Sequence, residues 1–237
     1  MWQLVAQHTD EVCEELEQMI QTLDLNDLER RALRAGTRWH DRGKAHEIFR
    51  AALPEGVPDR AKIWAKAAGK WKRYTRRHFR HELASGLAVL LSTDRLIAEE
   101  HRDLAAYLAA AHHGKVRLSI RSLPNESQPD RGRRFARGVW DRDVLPETDL
   151  GAGVVAPLVT LSLEPMELGL CEKAPFAGQP SWAERMIGLR DSMGPFRLAF
   201  LEAIVRGADM RASKAAEQRE AARQASGAAD GEVESNA

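Results

Sequence analysis

Apolar residues recur at helical spacing along most of the chain. Val5, His8, Val12, Leu16 and Met19 share one stripe and predict a helix from about Gln3 to Gln21. Asn26 or Asp27 is placed to cap a second helix through Leu28, Ala32, Ala35 and Trp39. A shorter helical stretch covers Ala45–Leu53, and Pro54–Pro58 reads as a loop. Residues 59–77 predict a basic helix with Trp64, Trp71 and Tyr74 interleaved, followed by helices over Phe79–Leu91 and His101–His113. At Gly114 the period changes. Val116–Arg121 alternates apolar and polar as a strand does, Leu123–Arg134 is a polar turn segment, and Phe135–Val144 and Leu158–Leu163 predict further short strands. Helical spacing resumes at Ser181–Leu189 and Gly194–Ala212, with Pro195 suited to a first helical turn.

The fold class expected is therefore mainly α, a helical bundle with a small β-containing insertion near 115–168. One domain spans 1–213. Residues 214–237, rich in Ala, Glu, Gln and then Gly, Ser and Asp, predict a flexible acidic tail. The first helix begins almost at the first residue, as expected of a domain cut from a longer protein. No apolar run approaches the roughly 20 residues of a membrane span, and no secretory segment follows Met1. Cys13 and Cys171, far apart and without CxxC spacing, predict packing residues rather than a disulfide or thiolate site. A reducing, cytoplasmic setting is the expectation.

Thirty-five Lys and Arg balance thirty-five Asp and Glu, which argues against a histone-like basic protein. The balance is a cancellation of segregated blocks: residues 1–30 sum to −7 and residues 31–80 to +11. From Arg60 to Arg80 there are nine bases and no acid, interleaved with Trp64, Trp71, Tyr74 and Phe79. Bases can track phosphates while exposed aromatics stack unpaired bases. Lys62, Lys66, Lys70, Trp71, Lys72, Arg73, Arg76 and Arg77 are the candidate DNA-binding residues. The competing reading is a solvated helix face whose aromatics pack inward. A second basic set comprises Lys115, Arg117, Arg121, Arg131, Arg133, Arg134 and Arg137. It is expected to rim the same cleft or to dock on a neighbouring domain.

Seven residues carry the candidate chemistry: His8, His40, Asp41, His81, His112, His113 and Asp209. His8 lies within an apolar stripe. His112 and Asp209 follow apolar residues at four-residue steps, Leu104 and Leu108 for one, Leu201 and Val205 for the other. A core-facing carboxylate is costly unless something offsets its charge, and a metal does so. Neutral imidazoles suit transition metals, and a carboxylate can bridge two. Each piece alone has a plainer reading. His8 could be a satisfied core histidine, Asp209 an arginine partner, and His112-His113 a helix C-terminus.

Their order and context add to this. The steps His40-Asp41-Arg42-Gly43-Lys44-Ala45, Phe79-Arg80-His81-Glu82 with Ser85, and His112-His113-Gly114, together with Leu4–His8 and Asp209, resemble the HD phosphohydrolase superfamily. More narrowly, residues 1–212 are similar to the HD nuclease domain of the type I CRISPR interference helicase-nuclease. Lys115–Leu123, Arg134–Trp140 and Ser181–Ser213 look closest to its type I-G, formerly I-U, branch. The resemblance implies an all-α HD fold and two divalent transition metals, Mn, Ni, Co or Fe, with Mg also admitted. It implies that His8, His40, Asp41 and Asp209 hold one metal and Asp41, His81, His112 and His113 the other. His40, Asp41 and Lys44 are then the catalytic group, with Lys44 near the scissile phosphate. Arg42 departs from the family, which usually has an apolar residue there.

The expected function is degradation of single-stranded DNA by metal-activated water in CRISPR interference against foreign DNA. The expected partners are single-stranded DNA, a helicase domain or subunit, and an RNA-guided effector complex, with no membrane. Two alternatives stand beside it: an HD nucleotide phosphohydrolase acting on a dNTP or cyclic nucleotide, and a metal-free HD interaction module. No phosphate-binding loop is present, since Gly43-Lys44 is followed by Ala45 and Gly69-Lys70 by Trp71, so no use of ATP is expected. His46, His78 and His101 receive no catalytic role.

Overall fold

The computed structural model describes residues 1–130 and 132–234, the last eight of these by backbone alone. A two-residue strand β1 (Gln3–Leu4) leads into α1 (Val5–Ile20), whose buried stripe is Val5, His8, Val12, Leu16 and Ile20. α2 (Asp27–Trp39) begins at a reciprocal cap. The Asn26 side chain accepts from the Glu29 N–H at 2.9 Å, and the Glu29 carboxylate accepts from the Asn26 N–H. After a 3-10 turn (Arg42–Ala45) come α3 (Glu47–Ala51), β2 (Trp64–Lys66), α4 (His81–Leu91) and α5 (Glu99–Ala111).

Short strands follow: β3 (Phe135–Ala136), β4 (Val139–Trp140), β5 (Val144–Leu145), β6 (Thr148–Asp149), β7 (Val155–Ala156) and β8 (Val159–Thr160). They pair antiparallel as β3 with β4, β5 with β8, and β6 with β7, which makes a nested ribbon inside the expected insertion. α6 (Trp182–Met193) and α7 (Pro195–Glu234) complete the bundle. The architecture is mainly α, as expected. The expected tail from Lys214 begins within α7, and its last three residues lie outside the described ones, as does Arg131.

α2, α4 and α5 form the central layer, with α1 and α7 packed together along one side. α4 is buried all round from Glu82 to Leu90 because neighbours cover both its faces. At Gly86 a Cβ would stand 2.8 Å from the Ala110 Cβ, so the missing side chain sets the close α4–α5 approach. None of the described helices is long and apolar enough to cross a membrane.

Two expected elements do not form. The basic helix over 59–77 is a short strand followed by an irregular strap. β2 pairs with β1, Gly69 takes a left-handed φ of +99°, and Lys72 N–H donates to the Ala52 carbonyl at 2.9 Å. The aromatic spacing that imitated a helix reflects separate anchors. Trp64 meets Trp2 edge-on, while Trp71 and Tyr74 pack against Phe49. The strand over 116–121 is likewise irregular: Val116 and Ile120 are buried while Leu118 is exposed, and no strand pairs with the segment among the described residues.

Candidate metal centre

Asp41 is the hub of the site. It is buried, follows the end of α2 and precedes the 3-10 turn. Its Oδ2 lies 3.6 Å from His8 Nε2 and 3.5 Å from His40 Nε2, and its Oδ1 lies 3.2 Å from His81 Nε2. The two oxygens thus face different imidazoles. On the Oδ2 side, Asp209 of α7 brings its Oδ1 to 3.0 Å from His8 Nε2. On the Oδ1 side, His81, His112 and His113 crowd together, with ring centroids 5.1 Å apart for His81 and His113 and 4.0 Å apart for His112 and His113. Two groups can each hold a metal ion: His8, His40 and Asp41 in one, and His81, His112 and His113 in the other. All seven predicted ligand positions therefore converge on one place.

The local sequence explains the convergence. A Cβ at Gly43 would collide with the His81 carbonyl, so only glycine lets the turn after Asp41 lie against the start of α4. Gly43 N–H is held there by Ser85 Oγ at 2.8 Å. His40 and His112 each follow the last residue of a helix, α2 and α5. Each turns its Nδ1 back on the carbonyl three residues earlier, His40 to Thr37 at 2.7 Å and His112 to Ala109 at 2.8 Å. A carbonyl can only accept, so both Nδ1 atoms carry the proton and both Nε2 atoms present bare lone pairs. Those Nε2 atoms, and that of His81, are buried and have no hydrogen-bond partner. Unpartnered acceptors aimed at one point, behind backbone-anchored Nδ1 atoms, are what a metal ligand set requires, so these residues fit divalent metals.

The charge states agree. Burial pushes His40, His112 and His113 below the ordinary histidine value, His112 furthest because His113, His40 and His81 surround it. Burial alone would raise Asp41, but Lys44, His40 and His81 outweigh it and hold the carboxyl well below the carboxylate range. Asp209 is likewise held down, against its burial, by the His8 hydrogen bond and by His40. Neutral imidazoles and ionised carboxylates are the protonation states that bind metals.

Lys44 Nζ stands 2.7 Å from Asp41 Oδ2 and also donates to the Ala65 carbonyl. The site opens into a cavity of about 430 Å³ walled by Lys44, Phe49, Trp71, Tyr74, Arg80 and His113. Tyr74 also lines a second cavity of about 650 Å³ with Lys72, Arg73 and Arg77. Of the other candidate DNA-binding residues, Lys62 and Lys70 are exposed and line neither cavity. Lys66 Nζ is buried without a hydrogen-bond partner, and its electrostatic neighbours include Asp209, Lys44 and Asp41. Arg76 is turned inward: it pairs with Asp143 and Glu47 and stacks on Trp140 at 3.8 Å. In the second basic set, Arg117 pairs with Glu202, Arg133 with Asp143, and Arg134 with Glu164 and Glu167.

Two supporting residues carried no signal in their spacing. His46 is buried, accepts the Ile48 N–H at Nδ1, and bonds Asp143 at 2.9 Å, which ties α3 to the insertion. Arg42 is buried and reaches Thr148, Leu145, Pro146 and Pro157.

A family model described as "Cas3, HD domain" matches residues 1–159, two thirds of the chain. No curated protein and no solved structure matches it. The matched segment holds every clustered residue except Asp209, which α7 supplies from beyond it. The chain belongs to the family of Cas3 HD domains, the metal-binding hydrolytic nucleases of CRISPR defence.

Proposed function

We propose that the chain cleaves single-stranded DNA at a site where His8, His40, Asp41 and Asp209 hold one divalent metal and Asp41, His81, His112 and His113 a second. The observation that carries this reading is Asp41, whose two oxygens face two separate imidazole groups. Two such metals, when bound, activate water and neutralise charge on a phosphodiester. The protein's own groups do the rest. Lys44, in the wall of the cavity with His81 and His113, meets the incoming phosphate. Lys66, its Nζ buried behind the site near Asp209, Lys44 and Asp41, adds positive charge without lining either cavity.

Trp71 and Tyr74 form an aromatic wall that suits unpaired bases, and Lys72, Arg73 and Arg77 extend positive charge away from the site. A chain of nucleotides suits two neighbouring cavities that share Tyr74 as a wall better than a mononucleotide, which calls for a closed pocket. The type I-G branch, the helicase and the effector complex belong to the same reading and rest on sequence resemblance.

The test is a metal-by-metal series with Mn²⁺, Ni²⁺, Co²⁺, Fe²⁺ and Mg²⁺ on circular single-stranded, linear single-stranded and duplex DNA. The expected result is cleavage of both single-stranded substrates, abolished in the double variant His40→Ala, Asp41→Ala. Undiminished cutting by that variant, or turnover of dNTPs or cyclic nucleotides in place of oligonucleotides, overturns the proposal.

A further inference from the structure

Glu82 is an unsatisfied charged side chain beside the site. It is buried in full, and neither carboxylate oxygen has a hydrogen-bond partner. The groups within 4 Å are His81, with Nδ1 3.6 Å from Oε2, and Arg80, with Nε 3.9 Å from Oε1, and His113 and Arg137 lie further out. A buried carboxylate without hydrogen bonds costs stability, so its retention calls for a role.

The other two central imidazoles show what that role is. His40 and His112 follow helix ends, where the carbonyl three residues back accepts the Nδ1 proton. His81 is the first residue of α4 and has no preceding helical turn to supply such a carbonyl. The next residue in the chain supplies a carboxylate instead. We infer that Glu82 is the positioning residue for His81: its carboxylate holds the proton on Nδ1, so that the Nε2 lone pair is directed at Asp41 and the metal shared there. At 3.6 Å the pair stands just beyond hydrogen-bond distance, and the role inferred for Glu82 is that of the nearest acceptor for the Nδ1 proton.

This inference rests on the proposed metal site, but its first test does not require metal. In the metal-free full chain at pH 8, nitrogen NMR reads the tautomer of each histidine. The expected result is a protonated Nδ1 for His81 in the wild type and in Glu82→Gln, whose amide oxygen still accepts. In Glu82→Ala the expected result is a mixed tautomer for His81, with His40 and His112 unchanged. The second test is Mn²⁺ titration calorimetry. Glu82→Ala should weaken one of two Mn²⁺ sites by about 10- to 100-fold, and Glu82→Gln should escape that loss.

A His81 tautomer that survives Glu82→Ala, with Mn²⁺ affinity within twofold of wild type, overturns the inference. If Glu82→Ala does not fold, Glu82→Gln decides. A wild-type tautomer and affinity in that variant support the inference. A mixed tautomer or lost affinity would show that the charge facing Arg80, rather than an acceptor for His81, is what matters. A wild-type chain that binds no Mn²⁺ would sink the metal reading while leaving the tautomer result to stand or fall by itself.

Discussion

Arg42 offers the sharpest test of how the insertion supports the site. Its guanidinium is buried, donates to Thr148 Oγ1 at 2.7 Å and to the carbonyls of Pro146 at 2.6 Å, Pro157 at 3.0 Å and Leu145 at 3.3 Å. No carboxylate pairs with it among the described residues. Burial lowers its pKa to about 10, so it remains charged at neutral pH. Arg42→Met keeps much of the apolar stem and removes all four hydrogen bonds. Bonds from a charged donor contribute about 1.5–3 kcal/mol each. Against that loss, the variant no longer buries an unpaired cation, a relief of several kcal/mol.

The three carbonyls then decide the balance, because two are only part-buried and can rehydrate. A net destabilisation of about 2–4 kcal/mol follows, a large part of a typical domain's stability. Urea unfolding at pH 7 measures it, with tryptophan fluorescence following the bundle and hydrogen exchange at 145–157 following the insertion. The expected variant has a lower midpoint and faster exchange at 145–157. It retains Mn²⁺ binding, because Gly43 and Ser85 still hold the turn after Asp41. A variant as stable as wild type or more so would refute this, and would mean that an apolar side chain packs there as well as the clamp does.

Three further outcomes are expected. Gly43→Ala places a methyl on the His81 carbonyl, which cannot yield as a side-chain tip would, so the variant should lose about 3 kcal/mol or more of stability, or else keep its fold and lose one Mn²⁺ site; unchanged unfolding and unchanged titration would contradict the packing. Metal-free protein should lose thermal stability between pH 7 and pH 5. His40, His112 and His113 are depressed from an ordinary value of 6.5, so the unfolded chain binds more protons below it and stability falls with pH. Asp41 and Asp209 add to the loss only below the ordinary carboxylate value of 3.8, and a flat melting temperature from pH 7 to 5 would refute the histidine assignment. Arg73→Met should reduce the slope of log Kd against log salt for single-stranded DNA by about 0.7 in EDTA; an unchanged slope would place Arg73 outside the binding path.

Much of the site was legible in the sequence because ligand chemistry restricts residue type. Few side chains other than His and Asp provide such a set, and their helical spacing marked His8, His112 and Asp209 as facing the core before any fold was known. Helices were legible where one face is buried, as in α1 and α2, and the Asn26 cap announces the start of α2. The 59–77 segment was misread because aromatics anchored one by one on Phe49 and Trp2 fall at the same intervals as a helical stripe. Arg76, counted among the nucleic-acid candidates by composition, is spent on Asp143, which lies 67 residues away.

By itself, then, the sequence determined which residue types are available to a metal, the mainly helical class and the place of the β-containing insertion. Tertiary structure alone decided how Asp41 divides its two oxygens, that Asp209 reaches His8 across 201 residues, and which nitrogen of His40 and His112 keeps its proton. The physical reason is range. Residue type and periodicity record short-range preferences along one element. Burial, tautomer and charge pairing are set by groups that meet only when α1, α2, α4, α5 and α7 pack together.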